Sequence, residues 1–309
     1  MVDVLVRRPV APSDVDVLRR LADDAGGAAG HPMVGDTVWR DLADPSPDTA
    51  IIVAREGETT VGAMHIGPSD SLSTPHTTLS FAVAPGAPDA EVVAALTTTA
   101  LADRRSHGGG HIELWVLGAD PSWDDRAHRL GLDLARELRQ LRVPLPVPEP
   151  EPVTWPSGVT VRHFEPGRDE AAWVAVNNRA FARDPDQGGW VQATLRRREQ
   201  EEWFDAAGFL LAEDDRGLAG FCWTKVHPAA PPVEPVALGE IYVIGVDPGR
   251  QGSGLGRSLM LAGLADLHDR RGAPVGMLFV DATNDAALRL YESIGFSVAR
   301  VDRAYACEL

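Results

Sequence analysis

The pattern of apolar and polar positions runs through one order of elements twice. Residues 2–8 (VDVLVRR) and 158–164 (GVTVRHF) each open a short strand that leads into a helix. Residues 50–66 (AIIVAREGETTVGAMHI) align with residues 208–224 (GFLLAEDDRGLAGFCWT), and both read as two strands around a polar turn. Strands are expected next over 79–83 and 240–246, then helices near 88–105 and 254–271, then strands over 111–117 and 275–281. Between the repeats lies VPLPVPEPEPVTWPSG, residues 143–158, whose prolines favour an extended, stiff connector over regular structure. The expected organisation is an N-terminal domain over 1–142, a Pro-rich linker over 143–157 and a C-terminal domain over 158–309, which suits a chain of 309 residues.

The repeats differ most in residues 238–257, LGEIYVIGVDPGRQGSGLGR. Ile241 to Val246 is an apolar run suited to a buried strand, and Asp247-Pro248-Gly249 stops it, because proline offers no amide to a ladder. Gln251, Gly252, Gly254 and Gly256 follow, then Leu259, Leu261, Leu264, Ala265 and Leu267 at roughly helical spacing. A strand, a glycine turn and a helix make an anion site: the first helical amides lack internal partners, and glycines admit a phosphate close to the backbone. Neither a Gly-Lys-Ser/Thr ending nor G-x-G-x-x-G spacing is present. A glycine turn required only by its conformation is the competing reading. The N-terminal counterpart, APGAPDAEVVAAL over 84–96, has no such glycines and carries Asp89 and Glu91 where phosphates would sit.

This pattern resembles the coenzyme A loop of the GNAT N-acetyltransferase superfamily, V-x-P-x-x-Q/R-x-x-G-x-G/A. Val246, Pro248, Gln251, Gly254 and Gly256 fill its fixed positions, and Asn284, Ala287, Leu290, Tyr291, Gly295 and Phe296 fill a second signature in NDAALRLYESIGF. The resemblance implies an α/β (α+β) chain of two tandem GNAT domains, each a mixed, mostly antiparallel sheet flanked by helices, the first degenerate and the second catalytic. It implies acetyl-CoA as co-substrate, held by Ile244, Gly245, Val246, Gln251, Gly252, Ser253, Gly254, Leu255, Gly256, Arg257, Asn284 and Arg289. A strand bulge is expected at Ile244-Gly245-Val246, splaying an amide towards the thioester carbonyl. Glu240 is then the candidate general base and Tyr291 the candidate general acid. A solvated edge glutamate and a tyrosine that only packs its helix are the alternatives.

Composition narrows the partners. A net charge of −16 disfavours nucleic acid and anionic membrane, and requires local basic residues at a coenzyme A site, for which Arg250, Arg257 and Arg289 are candidates. No apolar run approaches the ~20 residues of a membrane span. Cys222 and Cys307 lie far apart and read as reduced residues of a cytoplasmic protein, expected to be monomeric. No metal site is expected: His107 and His111 flank three glycines, and Cys-x-x-Cys is absent.

Three segments of the second half, NNRAFARDPDQGGW (177–190), FCWTKVHP (221–228) and LGEIYVIGVDP (238–248), are similar to those of mycothiol synthases, a tandem GNAT family. That resemblance implies a small-molecule acceptor, the cysteinyl amine of cysteinyl-glucosaminyl-inositol. It places Asp36, Asp186, Lys225, the chain's one lysine, Glu240 and Phe279 against it. Acidic groups suit an ammonium, and hydrogen-bonding groups from two domains suit sugar hydroxyls. Two alternatives remain open: a tandem acetyltransferase for an aminoglycoside, a polyamine or a protein N-terminus, and a non-catalytic acetyl-CoA sensor. The insertion HPAAPPVEPVA, residues 227–237, sits beside the expected acceptor pocket and could set selectivity.

Overall fold

A computed structural model describes residues 2–69, 76–148, 152–182, 184 and 187–309. The first series of elements is β1 (Asp3–Arg7), α1 (Pro12–Ala29), α2 (Asp36–Ala43), β2 (Ala50–Glu56), β3 (Thr59–Pro68), β4 (Thr77–Val83), α3 (Asp89–Ser106), β5 (His111–Val116), α4 (Ser122–Arg129) and β6 (Asp133–Pro144). The second repeats it: β7 (Thr160–His163), α5 (Glu170–Ala180), α6 (Gln192–Arg198), β8 (Phe209–Asp214), β9 (Gly217–His227), β10 (Leu238–Val246), α7 (Leu255–Asp269), β11 (Val275–Asp281), α8 (Asp285–Glu292) and β12 (Ser297–Glu308).

The two series form one continuous sheet of twelve strands, in the order β1-β2-β3-β4-β5-β12-β6-β11-β10-β9-β8-β7. Each half gives its last strand to the other. β12 lies antiparallel between β5 and β6, and β6 lies antiparallel against β11. The exchange is set by burial. Tyr305 of β12 is fully buried in the N-terminal core with Leu79, Leu114 and Trp123, and its hydroxyl donates to Asp124 at 2.8 Å. Leu141 and Val143 of β6 are buried in the C-terminal core with Leu264, Leu278 and Ile294. Each such side chain contributes about 1.5–3 kcal/mol. β6 therefore runs two residues into the stretch expected to be irregular, because Val143 has a core position to fill. Beyond it, Thr154 accepts a hydrogen bond from Ser258 Oγ of α7 at 2.5 Å, which fixes the connector to the helix.

The sheet faces are unequal. In the C-terminal half Cys222, Ile241, Leu278 and Val280 point to α7 and α8, and Trp223 and Val243 point to α5 and α6. Between α1–α2 and α5–α6, that second face lies open over β11, β6 and β12, where Phe279 is 40% exposed.

Because each half completes the other's sheet, fragments 1–148 and 152–309 produced together should stay associated on gel filtration and unfold in one transition. Two fragments that purified separately as folded monomers would contradict this exchange.

Candidate active site

The loop after β10 is built from its anchor. Asp247 is buried, its carboxylate accepts from the Gly249 amide at 2.9 Å and from Arg179 Nε at 2.8 Å, and its own amide donates to the Ala219 carbonyl. Desolvation pushes this carboxyl up, but the Arg179 and Gly249 hydrogen bonds and the Arg250 charge outweigh it and hold it below the ordinary value. A short 3₁₀ turn at Pro248–Arg250 leads to Gly252 and Gly254 at φ of +79° and +85°. An L side chain is strained there, although open space surrounds both positions. Gly254 caps α7, so the Leu255, Gly256 and Arg257 amides open the helix without internal partners. These donors and the open glycine cradle fit the pyrophosphate of acetyl-CoA. Arg257 reaches Ser293 at 2.8 Å, and Arg289 lies exposed on α8.

Beside this loop the sheet opens. β10 pairs with β11 in parallel only over Leu238–Gly239–Glu240 and then diverges. An extended arm between two strands needs such a wedge. Glu240 is the last paired residue, and it is buried, not solvated. It stands opposite Lys225 of β9, and its Oε2 lies 2.7 Å from His227 Nε2. Lys225 Nζ donates to Asp36 Oδ2 of α2 at 2.8 Å and lies 5.0 Å from the Trp203 ring and 5.9 Å from Tyr242. Desolvation alone would raise the Asp36 carboxyl, although its side chain is 62% exposed. Lys225, with smaller contributions from His227 and Arg40, holds it below the usual carboxylate range.

Tyr291 approaches from the other face. It is buried with Met260, Leu278 and Phe296, and Asn284 caps its helix by accepting from the Ala287 amide at 3.1 Å. Desolvation, with Cys222 nearby, pushes the phenol up to about 12, so it stays protonated through neutral pH. Glu240 and Tyr291 thus flank the wedge from opposite faces of the sheet.

Several expectations change. The register shift in β10 falls between Ile241 and Val243, at Tyr242, whereas Ile244, Gly245 and Val246 pair regularly with Cys222, Phe221 and Gly220. Gly245 is there for space: a Cβ would lie 2.8 Å from the Phe221 ring. Arg250 is engaged by carboxylates: its guanidinium grips Asp214 at 3.0 Å twice and reaches Asp247 at 3.5 Å. Phe279 lies on the open face under Arg300, 5.8 Å from its guanidinium. Asp186 lies outside the described residues. The insertion after His227 packs on the other half: Val233 and Pro232 lie against Gly26 and Gly27 of α1, and Glu234 pairs with Arg142 of β6. The Glu240–His227 and Arg142–Glu234 pairs had no local signal. The alternation of β9 and β10 alone could have placed Lys225, His227 and Glu240 on one face.

Known proteins resemble this chain in both fold and sequence. The Acetyltransferase (GNAT) family matches residues 172–296. A GCN5-related N-acetyltransferase from Sphaerobacter thermophilus superposes with a TM-score of 0.73 over 99% of this chain and 95% of its own, at 21% identity. A tandem GNAT protein from the clavulanic acid biosynthesis pathway does so with a TM-score of 0.71 over 99% and 98%, at 18% identity. Fold, loop and wedge make the chain a tandem N-acetyltransferase of the GNAT class. The mycothiol acetyltransferase of Thermobispora bispora is 42% identical over 95% of this chain and 96% of its own length. That of Salinispora arenicola is 44% identical over 94% and 91%. The chain belongs to the mycothiol acetyltransferase family.

Gly254→Ala places an L residue at φ +85° and should lower stability by about 1–2 kcal/mol. Gly256→Ala, whose Cβ would meet only Val246 at 3.6 Å, should stay near wild type in a thermal melt. Equal melts for the two variants would show that the loop relaxes at Gly254.

Proposed function

We propose that this enzyme transfers the acetyl group of acetyl-CoA to the cysteinyl amine of cysteinyl-glucosaminyl-inositol. The observation that carries the reading is the wedge flanked by Glu240 on the open face and Tyr291 on the helix-covered face. Relatives matched along more than nine-tenths of their length are named mycothiol acetyltransferase, which supports an acceptor of that kind.

The donor supplies a thioester carbonyl, and the chain's residues do the rest. Amides of α7 and the Gly252–Gly254 cradle grip the pyrophosphate. Asn284 shapes the end of α8 beside the donor's arm. Asp36 and Lys225 face the acceptor from the two halves: the carboxylate attracts the ammonium, and the lysine donates to hydroxyls. Glu240 takes a proton from the ammonium, directly or through one water, and frees the nitrogen lone pair to attack. As the C–S bond breaks, Tyr291 gives its phenolic proton to the departing thiolate, for which a phenol raised to about 12 is correctly protonated at neutral pH, and the second proton lost by the nitrogen as the amide forms restores the phenol through solvent. Phe279 and Arg300 would form the wall of the cleft beyond Glu240. A different amine as acceptor is the second reading, because one fold hosts many acceptors.

Asp36→Ala should raise the acceptor KM roughly 10- to 100-fold, since a charged hydrogen bond is lost, and leave the acetyl-CoA KM within twofold. Unchanged acceptor kinetics would remove Asp36 from the site. Tyr291→Phe should lower kcat by about 10²-fold or more without weakening acetyl-CoA binding. A variant within threefold of wild type would leave Tyr291 a packing residue.

A further inference from the structure

We infer that His227 is the positioning residue of the base: its imidazole holds Glu240 Oε2 and leaves Oε1 for the acceptor's proton. The inference rests on the reading of Glu240 as general base.

The contact is specific. A carboxylate can only accept, so Nε2 carries the hydrogen in the 2.7 Å contact to Oε2. The geometry follows from the ladder. Leu238 pairs with His227 and Glu240 with Lys225, so the two side chains stand on one face, two residues apart. Oε1 of Glu240 accepts no hydrogen bond among the described residues. The glutamate side chain is 10% exposed and the histidine 29%, so the imidazole separates the carboxylate from solvent and keeps its own second nitrogen nearer water.

Without the donated hydrogen bond, the carboxyl can rotate and both oxygens compete for the amine, which weakens orientation. Other charged or titratable groups around this pair are Lys225 on β9, Asp36 and Arg40 on α2, Arg198 on α6 and Tyr242 on β10. Arg142 of β6 is engaged with Glu234. None of these donates to Glu240 among the described residues, which leaves His227 as its hydrogen-bond partner.

The test is kcat and the acetyl-CoA KM of His227→Leu, His227→Gln and Glu240→Gln, with kcat taken at saturating acetyl-CoA. His227→Leu should lose roughly 10- to 100-fold in kcat, with the acetyl-CoA KM within twofold of wild type as proof of a folded donor site. His227→Gln, whose amide nitrogen can still donate to Oε2, should recover activity to within about fivefold of wild type. A His227→Leu enzyme with wild-type kcat would overturn the inference, as would a His227→Gln enzyme as slow as the leucine variant. If Glu240→Gln kept wild-type kcat, the base assignment itself would fall and take this inference with it. An inactive Glu240→Gln beside a normal His227→Leu would remove only the role of His227.

Discussion

The divergence of β10 from β11 beyond Glu240 is the constraint on which the site depends. Three paired residues fix the two strands, and then the parallel ladder stops. A parallel pair that parts leaves backbone groups needing partners, and a ligand arm with its own amides is a natural one. The extra residue at Tyr242 lets β10 stay in register with β9 while it turns away from β11. The candidate catalytic residues are arranged around that opening. The glycine cradle and the α7 amides lie at its outer end, Glu240 at its apex on one face, and Tyr291 behind it on the other.

Strand exchange gives the wedge a stiff frame. β6, next to β11, comes from the other half, so the wall of the opening is held by contacts from both. The same exchange brings α2 and its Asp36 to Lys225, and the Arg142–Glu234 pair fixes the rim. The N-terminal half has the same elements in the same order, but its helix α3 begins with Asp89, which is paired with Arg126, and Glu91. On the proposed reading, its contribution to chemistry is the surface it lends to the acceptor side.

Much of this was legible in the chain. The repeat was readable because each half writes its strand alternation and helix periodicity locally. The loop was readable because a left-handed turn before a helix requires glycine at Gly252 and Gly254, and few other uses of the pattern exist. The strand exchange was not, since β6 and β12 carry the same alternation and nothing local says which neighbour each will join. The bulge was placed at Gly245 because glycine inside a strand is a bulge signal. The actual demand there was room for the Phe221 ring, and the extra residue fell on Tyr242, a β-former with no such signal. Pairings over long separations, such as Arg142 with Glu234, depend on the fold and could not be read before it. Lys225 stood out only as the chain's one lysine, and its cage of Trp203 and Tyr242 emerged from the register of β9 and β10.

Steady-state acetyl transfer from acetyl-CoA to cysteinyl-glucosaminyl-inositol, with free cysteine and glucosamine compared under the same conditions, tests the central claim most directly. A cleft that binds the sugar with groups from both halves should favour the complete pseudodisaccharide by roughly 10²–10⁴ in kcat/KM. Equal turnover of free cysteine, or turnover of none of these amines, would contradict it.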